Sequence, residues 1–127
     1  MADKYVDIDT LKYMLYDVHK LEDLLERERF VDHDKESLDM FLESTKDFAD
    51  RELFPFIKEM DEKPAYHKDG KVYVHSQVET MMKKGGELGF ISASFDYDIG
   101  GMQIPLMAHT AATYILDAAN NHLPGYA

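Results

Sequence analysis

Cysteine is absent from this 127-residue chain. That excludes a disulfide framework, a thiolate zinc site, an iron–sulfur cluster and a cysteine nucleophile. No apolar run approaches the ~20 residues needed to cross a bilayer, so no membrane span is expected. The first residues, Met1-Ala2-Asp3-Lys4-Tyr5, are polar and acidic and carry no signal-peptide pattern. Basic residues are scarce, 14 against 25 acidic, for a formal net charge of −11. A surface this acidic repels phosphate, so nucleic acid is not expected as a partner. Together these absences suggest a reducing, cytoplasmic setting.

What is present is the composition of a single globular domain: 45% hydrophobic and 31% charged. Such a chain buries roughly two thirds of the surface it exposes when unfolded. Its charge is uneven. Residues 1–63 hold 19 acidic and 10 basic residues, whereas 99–127 carry one formal charge, Asp117. The chain ends on Leu123-Pro124-Gly125-Tyr126-Ala127 with no polar tail. This ending leads us to expect a fragment of a longer protein.

The periodicity predicts an all-α fold of about four main helices, up and down, with one short loop or hairpin at 65–75. Asp9 or Thr10 is expected to cap a first helix, whose stripe is Leu11, Met14, Leu15 and Val18. Leu21, Leu24 and Leu25 extend that stripe. A second helix starts near Asp32 or Asp34 and buries Leu38, Phe41, Leu42, Thr45, Phe48, Ala49 and Leu53. Its other face, Glu36, Asp39, Glu43, Lys46, Asp47 and Asp50, reads as solvated. Pro55 forces a kink or restart, and Pro64 ends the run. Lys68-Asp69-Gly70-Lys71 is turn chemistry. Ser76 to Glu79 fits a capping box for a third helix with Val78, Met81, Met82 and Leu88 inside and a stop at Gly89. After a loop over Ile91 to Ile104, Pro105 opens a fourth helix that ends at Asn120-Asn121. That helix is apolar nearly all round, which predicts burial on nearly every side.

Few residues point to chemistry. The six histidines, His19, His33, His67, His75, His109 and His122, include no Glu-x-x-His and no His-Glu-x-x-His. No metal site is expected. There is no Gly-x-Ser-x-Gly elbow, and Gly85-Gly86 and Gly100-Gly101 lack the spacing of a phosphate cradle. The eight tyrosines, seven phenylalanines and eight methionines mostly fall on helix stripes and read as core. Asp117 stands out, because a carboxylate in a buried helix needs a partner or a raised pKa. Thr110, Thr113 and Asp117 share one side of that helix, with His109 close by. The strip either lines a cavity or domain contact, or meets solvent.

The order of motifs resembles the N-terminal helical domain of acyl-CoA dehydrogenases. The resemblance runs through Phe48-Ala49, Leu53 and Pro55, then Met60-Asp61-Glu62, Lys84-Gly85-Gly86-Glu87-Leu88-Gly89-Phe90, and Phe95-Asp96-Tyr97-Asp98-Ile99-Gly100-Gly101-Met102. Asp7 to Leu25 looks like an extra N-terminal piece found in one bacterial branch of that family. The resemblance implies a parent enzyme of fatty acid metabolism that dehydrogenates acyl-CoA thioesters at the α,β carbons. Such a parent has a middle β-domain and a C-terminal four-helix bundle, which with a neighbouring subunit hold most of the FAD. In it a C-terminal glutamate takes the α-proton and the flavin takes the β-hydride. No residue here maps to that glutamate, so no catalytic, cofactor-binding or metal-binding residue is assigned. Thr110, Thr113, Tyr114 and Asp117 are the residues expected to line the acyl pocket or touch the flavin domain. Gln103-Ile104-Pro105 departs from the family, and the last helix lacks an acidic pair that many members carry.

The expectation is therefore an extension over 1–30 followed by an acyl-CoA dehydrogenase N-terminal-like domain over 31–127. It is inactive and free of FAD by itself. Its partners are acyl-CoA and its own middle and C-terminal domains, and the parent is a homo-oligomer. The rival expectation is a complete small helical interaction module that self-associates through residues 99–127. A carrier using the tyrosines and methionines has no motif behind it.

Overall fold

A computed structural model describes residues 5–122 and 124–126. The polar start at Met1–Lys4, and Leu123 and Ala127 of the apolar ending, lie outside the described residues. The elements in order are α1 (Ile8–Tyr13), α2 (Leu21–Leu24), α3 (Lys35–Phe48), α4 (Ile57–Glu62), the hairpin β1 (Tyr66–Lys68) and β2 (Lys71–Tyr73), α5 (Ser76–Glu87) and α6 (Leu106–Ala119). The fold is all-α, as the periodicity predicts, with one small antiparallel hairpin in the expected place. No described helix is long and apolar enough to cross a membrane.

α3 organises the core. Asp34 accepts the Ser37 amide at 2.8 Å while Ser37 Oγ accepts the Asp34 amide at 3.0 Å, a reciprocal cap worth about 1 kcal/mol. All seven residues of the predicted stripe are buried, and Leu38, Leu42, Thr45, Ala49 and Leu53 are fully so. Each large apolar side chain buried this way contributes roughly 1.5–3 kcal/mol relative to exposure. α6 makes its most extensive contact with α3 and also packs on the chain just after it. The α-helical pattern stops at Phe48 and gives way to a wide turn over Ala49–Leu53, where the Phe54 amide reaches the Ala49 carbonyl. A tight turn over Phe54–Phe56 holds Pro55, and α4 restarts beyond it. The break expected at Pro55 is therefore present but begins six residues earlier.

Several local expectations are corrected. Asp7, not Asp9 or Thr10, caps α1, because one of its oxygens accepts both the Asp9 and Thr10 amides. The first stripe does not run on to Leu25 in one helix. A wide turn over Met14–Val18 and a left-handed Lys20 (φ 53°) break it, and Leu21 then enters the core. His75, not Ser76, caps α5. Its Nδ1 accepts the Gln77 amide at 3.0 Å, while its ring packs near Phe56 and its Nε2 lies 3.5 Å from Glu59. The buried side of α5 is Gln77, Val78, Met81 and Gly85; Met82 and Leu88 are exposed.

The largest correction concerns α6. Ala108, Ala111, Ala112, Ile115, Leu116 and Ala119 are buried, but Leu106, Thr110, Thr113, Tyr114 and Asp117 are exposed. Its neighbours cover one side only. Asp117 is thus no buried carboxylate and needs no compensating partner. Asn120 ends the helix as expected. It is fully buried, donating to the Leu53 carbonyl at 3.0 Å and accepting the His122 amide at 3.1 Å.

Candidate functional site

The N-terminal arm, residues 5–18, lies along a flank of α3 that reads as solvated in the sequence. Tyr5 donates to Asp50, Lys12 donates to Glu43 at 2.6 Å, and Tyr16 donates to Asp39 at 2.9 Å. Arm positions rise from 5 to 16 as their partners fall from 50 to 39, so the arm runs antiparallel to α3. Lys46 is buried beneath it. Its Nζ meets both Asp50 oxygens at 2.7 and 2.8 Å and lies 4.6 Å from the Tyr5 ring centre. Burying a charge requires such pairing. Sequence periodicity missed this latch because partners 23 to 45 residues apart leave no local pattern.

Burial pushes the Tyr5 and Tyr16 phenols above their ordinary range, and the hydrogen bonds to Asp50 and Asp39 add to it. Both rings must keep their protons for the arm to hold. An unfolded tyrosine ionises near pH ~10. The stability these raised groups contribute is therefore whole below about pH 10 and is lost as pH climbs beyond it. Urea unfolding is expected to show stability falling steeply above about pH 10. The double variant Tyr5→Phe, Tyr16→Phe flattens that fall; equal alkaline slopes in the two proteins would refute the latch.

The opposite side of the arm faces α6 across an open cleft of about 1130 Å³. Asp7, Thr10, Leu11 and Met14 line one wall at helical spacing, and Leu106, Met107, Thr110, Ala111 and Tyr114 line the other. His19, Leu24 and Phe30 also contribute. The structure thus brings Thr110 and Tyr114 of the sequence-derived set into the cleft. Thr113 and Asp117 are exposed outside the lining, and the Thr113 hydroxyl donates back to the His109 carbonyl at 3.0 Å. His109 does not join them. Its Nε2 is 3.1 Å from the Phe90 carbonyl, which fixes Nε2 as the protonated nitrogen, and Nδ1 accepts from Ser94 Oγ at 3.0 Å. It buttresses the loop before α6.

A second, smaller cavity of about 290 Å³ lies between Met60, Lys63, His75, Val78, His122 and Tyr126. Among the described residues no group of three or more histidines, aspartates or glutamates is placed to hold a metal ion.

A family description, "Acyl-CoA dehydrogenase, N-terminal domain", matches residues 35–124. The chain belongs to that family. Neither a curated protein nor a solved structure matches it.

The family implies FAD in full-length members. The main cleft does not fit that group. Among the described residues its lining has no lysine or arginine to face a pyrophosphate, and the one carboxylate there, Asp7, is held low by the Thr10 amide first among its hydrogen bonds. The apolar walls suit hydrocarbon instead.

Proposed function

We propose that this chain is the helical N-terminal part of a flavin-dependent acyl-CoA dehydrogenase. Residues 31–127 form the family domain and 1–30 an extension. α6 supplies one wall for the acyl chain through Thr110 and Tyr114. Thr113 and Asp117, on the outer side of α6, face a neighbouring domain. The observation that carries this reading is the match over 35–124 combined with a mostly apolar cleft against α6 that no described lysine or arginine lines. In this role the chain excludes water from the hydrocarbon tail and fixes its direction. Flavin and the proton-abstracting glutamate belong to the middle and C-terminal domains. A cytoplasmic setting and a homo-oligomeric parent are part of the same proposal.

The test is direct. The purified chain, incubated with FAD and an acyl-CoA and then desalted, is expected to emerge without visible flavin absorbance and without reducing an artificial electron acceptor. The same chain joined to middle and C-terminal acyl-CoA dehydrogenase domains is expected to gain both. Flavin retention and turnover by the 127-residue chain alone would overturn this division of labour.

A further inference from the structure

We propose that the N-terminal arm, through Leu11 and Met14, sets the length of acyl chain the cleft accepts; this rests on the reading of α6 as an acyl wall. The family match begins at residue 35, yet two thirds of the residues that line the cleft lie before it. The family domain alone would present this face of α6 as an open surface. The arm converts it into a trough.

Both departures from regular helix in this region serve that trough. The wide turn over Met14–Val18 begins at Met14, which lines the cleft while 41% exposed. Such turns, with an amide reaching five residues back, are frequent at functional sites. Here the His19 amide reaches the Met14 carbonyl at 2.9 Å. The wide turn over Ala49–Leu53 carries Asp50, which holds Tyr5, itself a lining residue. The arm is thus fastened on its charged side and presents Val6, Leu11, Met14 and Leu15, together with Asp7 and Thr10, on its cleft side.

The occupant follows from the lining. Among the described residues no lysine or arginine lines the cleft, and the protein is strongly acidic, so an anionic or phosphorylated moiety is disfavoured there. The lining is mostly apolar, with Leu11, Met14, Leu24, Leu106 and Met107 among it, which suits a hydrocarbon chain. Met14 of the arm and Met107 of α6 both line it, and unbranched, polarisable side chains adapt to a flexible chain. A short acyl group fills the α6 side without reaching the arm; a long one needs both walls.

Neutral thioesters of N-acetylcysteamine are the probes, since they lack the phosphates of CoA. Calorimetry with the 127-residue chain compares dodecanoyl and butanoyl esters. Met14→Trp, which narrows the trough at the arm, is expected to weaken dodecanoyl binding about tenfold, the loss of roughly two methylene contacts. Butanoyl binding stays within about twofold, well inside one such contact. Because the protein has no tryptophan of its own, the new indole also reports on the ester by a blue shift. Met14→Glu, at an exposed position, keeps the fold and is expected to act the same way on the long ester. Thr110→Trp probes the α6 wall and is expected to weaken both esters. If both Met14 variants bind dodecanoyl like the unchanged chain while Thr110→Trp does not, the arm has no part in selection and the acyl wall stands. If Thr110→Trp is also silent, or the unchanged chain binds neither ester, the wall and the arm proposal both fall.

Discussion

Gly101→Ala is expected to destabilise the domain by at least about 3 kcal/mol, a large share of the roughly 5–15 kcal/mol that holds a domain together. A Cβ at Gly101 would sit 2.0 Å from the Phe95 carbonyl oxygen and 2.2 Å from its carbon. That is backbone, and it cannot step aside alone. The same carbonyl accepts the Gln103 amide at 3.0 Å, and the next rung joins the Ile104 amide to the Ala93 carbonyl at 2.9 Å. Displacing Phe95 therefore strains the segment that delivers buried Ile104 and Pro105 to the start of α6. It also disturbs the segment between α2 and α3, because Arg29 bridges to Asp96 at 2.6 Å and Gln103 donates to the Arg29 carbonyl at 2.9 Å. Gly100→Ala provides the contrast. That position has φ 86° but open space around it, so the cost is about 1–2 kcal/mol of backbone strain alone. Urea midpoints of the two variants, at unchanged slope, measure the difference. Equal losses would mean that close approach is not what Gly101 provides.

That loop shows what the sequence made legible and why. Gly100-Gly101 carried the family resemblance, and the structure gives it a reason: one glycine for a left-handed turn, the next for backbone contact. α3 was legible in its stripe and in its start near Asp32 or Asp34, which are local signals, but its end at Phe48, ahead of Pro55, was not. The hairpin at 65–75 was legible from Asp69-Gly70 for the same reason, and Gly70 has the expected positive φ of 77°. α6 was misread because apolar composition reports what a helix can bury, not how many sides have neighbours. Leu106 and Tyr114 on its uncovered side followed that error, whereas for the strip Thr110, Thr113 and Asp117 exposure to solvent was one of the two expectations. The arm was misread in the opposite sense. Asp39, Lys46 and Asp50 read as solvated, yet Tyr5, Lys12 and Tyr16 cover them. Charged residues that pair across the chain look identical in sequence to charged residues that face water. The cleft, which depends on both misread surfaces, was half legible: Thr110 and Tyr114 were named, but Leu11, Met14 and His19 were not.

Phe48→Ala is the second large effect, expected to cost about 3–5 kcal/mol. Phe48 is 1% exposed at the last turn of α3, where regular helix gives way to the wide turn. Its ring centre lies 5.3 Å from that of Phe90, which in turn lies 6.0 Å from Phe41. Phe90 follows the left-handed Gly89 that stops α5. One ring therefore ties α3 to α5 and to the loop leading into α6, and truncation leaves a cavity that three elements must close together. Gly85 explains why they cannot close it cheaply. It is buried against the same ring, and a Cβ there would lie 3.8 Å from Phe48 Cζ, an ordinary contact. Gly85→Ala alone should then be tolerated, gaining up to about 1 kcal/mol of helix propensity. One methyl group restores little of a lost phenyl ring, so Gly85→Ala in the Phe48→Ala background recovers only a minor part of the loss. The domain would be left marginal, and the trough between arm and α6 would loosen with it, because α3 is the element to which both are fastened. Thermal unfolding of the single and double variants checks the order. A Phe48→Ala protein within about 1 kcal/mol of the unchanged chain would show that the ring is not the keystone of this core.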